Sequence, residues 1–222
     1  MNPMTKFPEI FNLTVLPLVP LRELVAFISD IPMCPLNIGR GKSKRALEKA
    51  GVTLGSGLIF LCTKTNSDVE NPSINDLYDI GVVTLAGVST KSKEAIKAGA
   101  DTYKILHGGV YPAKLLSLFE EDDVTFANIQ PFAPWYPEET VGHHWKKISE
   151  MMAFAKTTGL ADEVDLVRLW GVDSKPYQLM NFCYSLIGAF DYKCQQELIE
   201  LETPEKVIEH CYSLLKKKYQ SI

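Results

Sequence analysis

The hydrophobic pattern of this chain changes period once, and that change constrains the fold more than any other feature. From Leu13 to about Ala133 the apolar residues come in short runs of strand length: LTVLPLVPL, IPMCPLNI, GLIFLCT, IGVVTLAGV, TYKILHG, AKLLSLF and VTFANIQPF. Turn-rich or charged segments separate them, and one of these, KSKRALEKA from Lys42 to Ala50, has the pattern of a short helix. Around FAPWYPEE, where Pro131, Pro134 and Pro137 crowd together, the period becomes 3.6. Val141, Trp145, Ile148, Met152 and Ala155 then share one helical face, and Leu179, Cys183, Leu186, Ile187 and Phe190 share another. DEVDLVRLWG supplies a shorter helix between them. The expectation is an α+β chain: a small closed or nearly closed β-barrel over residues 1–133, then an α-helical bundle over 134–222.

Within the first part, LPLVPLRELVAF (Leu16 to Phe27) carries two prolines in an apolar run. Proline has no ladder donor and a fixed φ, so Pro17 and Pro20 point to an edge strand or a bulged barrel strand. The run is far shorter than the roughly 20 apolar residues of a membrane helix, and it runs into Arg22 and Glu23. AKLLSLFEEDDVTFANI has the pattern of a hairpin with an acidic tip, Glu120 to Asp123. Thr125, Ala127 and Ile129 fall on one face of its second strand, and Val124, Phe126 and Asn128 on the other. The last helix is the best specified. Thr203 can cap it, Pro204 and Glu205 suit its first turn, and Lys216 to Lys218 suit its negative end. Its stripe is Val207, Ile208, Cys211, Leu214 and Leu215.

Composition excludes several function classes. With 222 residues, of which 46% are hydrophobic, the chain can build real cores. A net charge of −4 and a pI near 5.6 give no global attraction to nucleic acid or to anionic membranes. The start, MNPMTKFPEIFN, has no secretory signal pattern, and no stretch is long and apolar enough to span a bilayer. A cytoplasmic protein follows from these features. Its cysteines, Cys34, Cys62, Cys183, Cys194 and Cys211, are odd in number and widely spaced, without a C-x-x-C, and read as buried thiols rather than metal ligands.

Four patterns imitate chemistry. Gly41, Lys42 and Ser43 form the tail of a phosphate-binding loop, but Leu36 stands where its other glycine belongs, so the amide nest is missing. Lys42, Lys44 and Arg45 instead fit the solvated side of a helix whose Ala46 and Leu47 face inward. Adjacent His143 and His144 point in different directions on a helix and cannot easily share a metal. His107, beside Gly108 and Gly109, is placed at a strand end with no nucleophile elbow near it. Ser213 and Lys216 have S-x-x-K spacing, but on an amphipathic helix. No catalytic, cofactor or metal residue is assigned.

Taken together, LPLVPLRELVAF and the following IPMCPLNIGRGKSKRALEKA resemble the opening of the amino-terminal substrate-binding domain of Lon ATP-dependent proteases. NDLYDIGVVTLAGV (Asn75 to Val88) resembles that family's leucine-tyrosine and glycine motif. DTYKILHGGVYPAKLLSLFEEDDVTFANIQPF resembles its following strand, glycine pair and acidic-tipped hairpin, and QQELIELETPEKVIEHCYSLL resembles its closing helices. Two departures from the family pattern stand out: Phe27, Ile28 and Ser29 stand where it has phenylalanine-proline-glycine, and Pro112 where it has an arginine.

The resemblance implies a PUA-like β-barrel followed by an α-helical bundle, and a non-catalytic module that binds unfolded or damaged proteins through exposed apolar segments. The phosphate loop and serine-lysine dyad of Lon would follow the final helix; none is present up to Ile222. An extended client could add to proline-marked strand edges and fill an apolar groove. Candidate contacts are Leu24, Phe27, Ile31 and Pro32 in one loop, and Phe132, Trp135 and Tyr136 in the proline-aromatic segment. A competing reading has these residues pack barrel against bundle. Alternative functions are an adaptor or self-association module of a free-standing Lon-domain protein and, less favoured by the acidic balance, an RNA-binding PUA-like domain.

Overall fold

The computed structural model describes residues 14–27, 34–132, 149–151, 153, 157, 183 and 191–219. The chain divides into two compact units, Met1–Phe132 and Ala133–Ile222.

The first unit is one six-stranded sheet: β1 (Val15–Leu21), β2 (Cys34–Ile38), β3 (Ser56–Thr63), β4 (Ile80–Gly87), β5 (Tyr103–Glu121) and β6 (Val124–Pro131). The order is β2-β5-β4-β3-β1-β6, and β5 pairs with β6 as well. That extra pairing joins β5, β4, β3, β1 and β6 into a ring of ladders and, among the described residues, leaves β2 paired on one side. Leu16, Leu18, Phe60, Val83, Tyr111 and Ile129 are buried together along one face of the ring strands. Their side chains alternate with a second buried set that includes Val19, Ile59, Leu61 and Val82. Burial on both faces explains why the strands read as apolar runs rather than as clean alternation.

β1 is neither a sheet edge nor a bulged strand, which corrects the expectation drawn from its prolines. Its first half, Val15 to Pro17, pairs with β6. Its second half, Leu18 to Leu21, pairs with β3 in parallel. Each half is therefore laddered on one side, and a missing N–H on the other side breaks nothing.

A second correction concerns TYKILHG and AKLLSLF, which are not separate strands but parts of the 19-residue β5. The glycine pair and Pro112 between them look like a break. Here they let the strand pass from partner to partner: β2 first, then β4 with an irregularity opposite Val83/Thr84, then β6 with another at Leu115/Ser117. Bulges of this kind bend a strand around a ring. The expected acidic tip tightens to a two-residue turn, with Asp122 and Asp123 at φ of 50° and 60°. Both lie in the left-handed region, the geometry of a type I′ hairpin turn.

Two helices flank the sheet. α1 (Gly41–Lys49) buries Ala46 and Leu47 as its pattern requires, and Ser43 with them. α2 (Thr90–Lys97) lies in one of the charged segments between the strands. Ser89 caps it by accepting a hydrogen bond from the Ser92 amide at 3.2 Å, and none of its residues is buried. A helix without a buried stripe leaves no periodic signal.

In the second unit, residues 149–151, 153, 157 and 183 are helical, with α3 (Tyr192–Ile199) and α4 (Pro204–Tyr219) completing the described part. Asp191 caps α3 by accepting from the Lys193 and Cys194 amides at 2.9 and 3.1 Å. Thr203 caps α4 by accepting from the Lys206 amide at 3.3 Å. Val207, Ile208, Cys211 and Leu215 are buried as the stripe requires, and Leu214 is half-buried. Met151 and Cys183 are fully buried, and the Cys211 thiol donates to the Cys183 carbonyl at 3.8 Å. Apart from Cys183, the earlier stripes, DEVDLVRLWG, Trp145, His143 and His144 lie outside the described residues.

Candidate functional site

The segment that leaves β1 is held open by specific contacts. Glu23 turns the chain with a φ of 49°. The Thr63 hydroxyl then donates to the Leu24 carbonyl at 2.8 Å. Val25 and Ala26 are buried, whereas Leu24 keeps 41% of its surface exposed and Phe27 is half-buried. Opposite Phe27 stands Gly109 of β5, where a β-carbon would lie 2.1 Å from the Phe27 carbonyl oxygen. Only glycine lets the backbones approach this closely. Phe132, half-buried at the end of β6, donates its amide to the Pro112 carbonyl at 3.0 Å. Gly109 and Pro112 are three residues apart on β5, roughly 10 Å of strand, so one strand anchors both Phe27 and Phe132. Ile31, Pro32, Trp135 and Tyr136 lie outside the described residues.

The NDLYDIG motif supports the same end of β1. Asp76 accepts from the Ser73 amide and hydroxyl at 2.9 and 2.6 Å, closing a short 3-10 turn, and Leu77 enters the core. The Tyr78 amide donates to the Thr63 carbonyl at 3.0 Å, aligning the residue whose hydroxyl holds Leu24. At Gly81 a β-carbon would lie 2.6 Å from the Phe60 ring, so the motif's glycine admits a fully buried core phenylalanine.

Beside Leu24 lies a cavity of 160 Å³ walled by Pro20, Leu36 and Ile38 and carrying Arg22 and Arg40. A second cavity, of 270 Å³, shares Pro20, Arg40 and Ser43 with it. Lys64 sits nearby with 1% of its surface exposed, and its ammonium donates to the Ser67 and Val69 carbonyls. Burial, and after it the charges of Arg40 and Arg22, hold the Lys64 pKa below the usual lysine range. Arg22 also donates through Nε to the Ser67 carbonyl, at 3.0 Å. Sequence reasoning missed Arg22, Arg40 and Lys64 as a group, because they meet only when the end of β1, the β2–α1 junction and the end of β3 converge.

The chemical look-alikes resolve into structural roles. Lys42 pairs with Glu120, Lys44 donates to the Asp101 carbonyl at 3.0 Å, and Arg45 to the Asp123 carbonyl at 3.1 Å. The apparent phosphate loop is thus a helix tied to the hairpin tip. His107 lies inside β5, opposite Cys34 and Ala86, and not at a strand end as expected. It is buried, and burial lowers its pKa. Ser213 is exposed, and Tyr212, with Glu150, holds the Lys216 pKa above its ordinary value. A lysine that keeps its proton cannot activate a serine. Cys62, Cys183 and Cys211 are buried and outside any disulfide, and among the described residues no three histidine, cysteine or acidic side chains gather at a metal-binding distance.

The ring of strands, the GG and NDLYDIG contacts and the final helices belong to a recognisable class. Residues 15–217 match the family described as the ATP-dependent protease La (LON) substrate-binding domain, and the chain belongs to that family. Lon protease of Haemophilus influenzae is 34% identical over 124 residues, which cover 56% of this chain and 14% of that protein. Lon protease of Lawsonia intracellularis is 33% identical over 115 residues, 52% of this chain and 13% of that protein. The aligned stretch is thus a small fraction of the relatives' own length. A Lon N-terminal domain protein from Xanthomonas campestris superposes with a TM-score of 0.57 at 11% identity, covering 90% of this chain and 98% of that one. The N-terminal domain of Mycobacterium avium complex Lon protease gives 0.60 at 8% identity, covering 91% and 98%. The fold, mostly sheet with few helices, is that of a Lon N-terminal domain. The matched residues form a non-catalytic substrate-binding module; the ATPase and peptidase modules are not among them.

Proposed function

We propose that this chain recognises client proteins in an unfolded or damaged state through exposed apolar segments, as the substrate-recognition region of a Lon-type ATP-dependent protease in cytoplasmic protein quality control. The observation that carries this reading is the distribution of exposed large apolar residues. Among the described residues all of them, from Val15 to Phe119, fall in the first unit, with Leu24 beside the Arg22–Arg40 cavity and Leu54 the most exposed at 85%. Contacts are assigned to Leu24, Phe27 and Phe132, continuing through Ile31, Pro32, Trp135 and Tyr136. In this reading the ring of strands is a PUA-like barrel over residues 1–133, and residues 134–222 form a helical bundle. Cysteines outside any disulfide suit a reducing compartment.

Fluorescence anisotropy tests the reading. A labelled, reduced and unfolded protein should bind better than its native form, because only the unfolded chain offers free backbone and apolar side chains. Replacing Leu24 and Phe27 with serine should weaken that binding while the melt stays cooperative. Equal binding of native and unfolded forms contradicts the proposal. Unchanged affinity in the variant removes the two residues from the site.

A further inference from the structure

We propose that the 160 Å³ cavity beside Leu24 takes a carboxylate of the bound client, from an acidic side chain or from the chain's own C-terminus, so that the module prefers apolar segments carrying a nearby negative charge. The inference rests on the client-recognition reading above and adds a chemical preference to it. Arg22 and Arg40 both line this cavity, and among the described residues no acidic side chain does. Nη1 of Arg40 is enclosed and has no hydrogen-bond partner among the described residues. A buried donor left without an acceptor is costly, and a planar carboxylate is the acceptor that a guanidinium fork fits. The larger cavity does not serve as well: Glu70 and Glu120 line it, and Glu120 already has Lys42.

Lys64 does not compete with Arg40 for the ligand. It is satisfied by two carbonyls, and its pKa is lowered first by burial and then by the charges of Arg40 and Arg22. A bound carboxylate would relieve that repulsion. Leu24, Leu36, Ile38 and Pro20 add apolar wall beside Asn37 and Ser43, so an apolar side chain next to the carboxylate finds its own contact. Leu24 is exposed at this rim, which joins the cavity to the candidate client surface.

The test uses the 222-residue chain and three labelled peptides of leucine and valine. One carries a single aspartate with both ends blocked, one carries asparagine there with a free C-terminal carboxylate, and one has asparagine with both ends blocked. The expected result is that at least one acidic peptide binds about tenfold more tightly than the neutral one, and which one does so identifies the source of the carboxylate. Arg40→Gln should erase that difference, with Arg22→Gln giving a partial loss. Equal affinity of all three peptides for the native chain overturns the inference, and needs no variant to fold. So does an acidic preference that survives Arg40→Gln. If an unfolded protein binds and the peptides show no preference, only this inference fails. If neither the unfolded protein nor any peptide binds, the recognition reading fails and this inference with it.

Discussion

At Gly109 the absence of a single carbon atom positions a whole segment. An alanine there would place its methyl 2.1 Å from the Phe27 carbonyl oxygen and 2.8 Å from Val82 Cγ1, so either Phe27 moves or β5 does. Gly109→Ala is predicted to lower stability by about 1–3 kcal/mol in a denaturant melt, the usual cost of overpacking, and to weaken binding of an unfolded client by more than the stability loss explains. His107 makes a prediction about pH. Burial holds its folded pKa below the ordinary value of 6.5, so as the pH falls through 6.5 the unfolded chain takes up a proton before the folded chain does. The stability from keeping this imidazole neutral is complete above 6.5 and is lost as the pH drops from there toward the folded pKa. His107→Gln, if it folds, should flatten the fall in melting temperature just below pH 6.5. An unchanged slope would assign that fall to other groups.

Among the elements, α1 separates packing from charge. Lys49 pairs with Asp122 at 3.1 Å, but both partners are exposed, and exposed pairs contribute little. Leu47, by contrast, is fully buried. Lys49→Ala should cost less than about 1 kcal/mol, whereas Leu47→Ala should cost about 2–5 kcal/mol, both read from denaturant melts. Comparable losses would mean that the hairpin tip, not the core, holds the helix. The same helix was legible in sequence because Ala46 and Leu47 break an otherwise charged run. α2 was not, because none of its residues is buried and it leaves no apolar stripe. The continuity of β5 was hidden for a different reason. Gly108, Gly109 and Pro112 are ordinary breakers when read locally, and only the succession of partners β2, β4 and β6 shows that the strand runs through them. Prolines in β1 misled in the same way, since half-strand pairing is a property of the closed ring and not of the segment.

For the whole molecule, sequence order carried the family, while the site was only partly readable. Leu24 and Phe27 stood out as apolar residues beyond a proline-marked strand. Arg22 and Arg40 did not, because they are distant in sequence and come to one cavity only through the register of the folded sheet. The purified chain is predicted to show no ATP or peptide hydrolysis of its own, and turnover that disappears on Ser213→Ala would contradict the reading of α4 as a structural helix. The central claim, that the first unit receives unfolded clients at the end of β1, is tested most directly by hydrogen exchange on the 222-residue chain with and without a reduced, unfolded protein. The account predicts added protection for amides at Leu24 to Phe27 and along strand β2, with α3 and α4 unchanged. Protection confined to α3 and α4, with none at the end of β1, would contradict it.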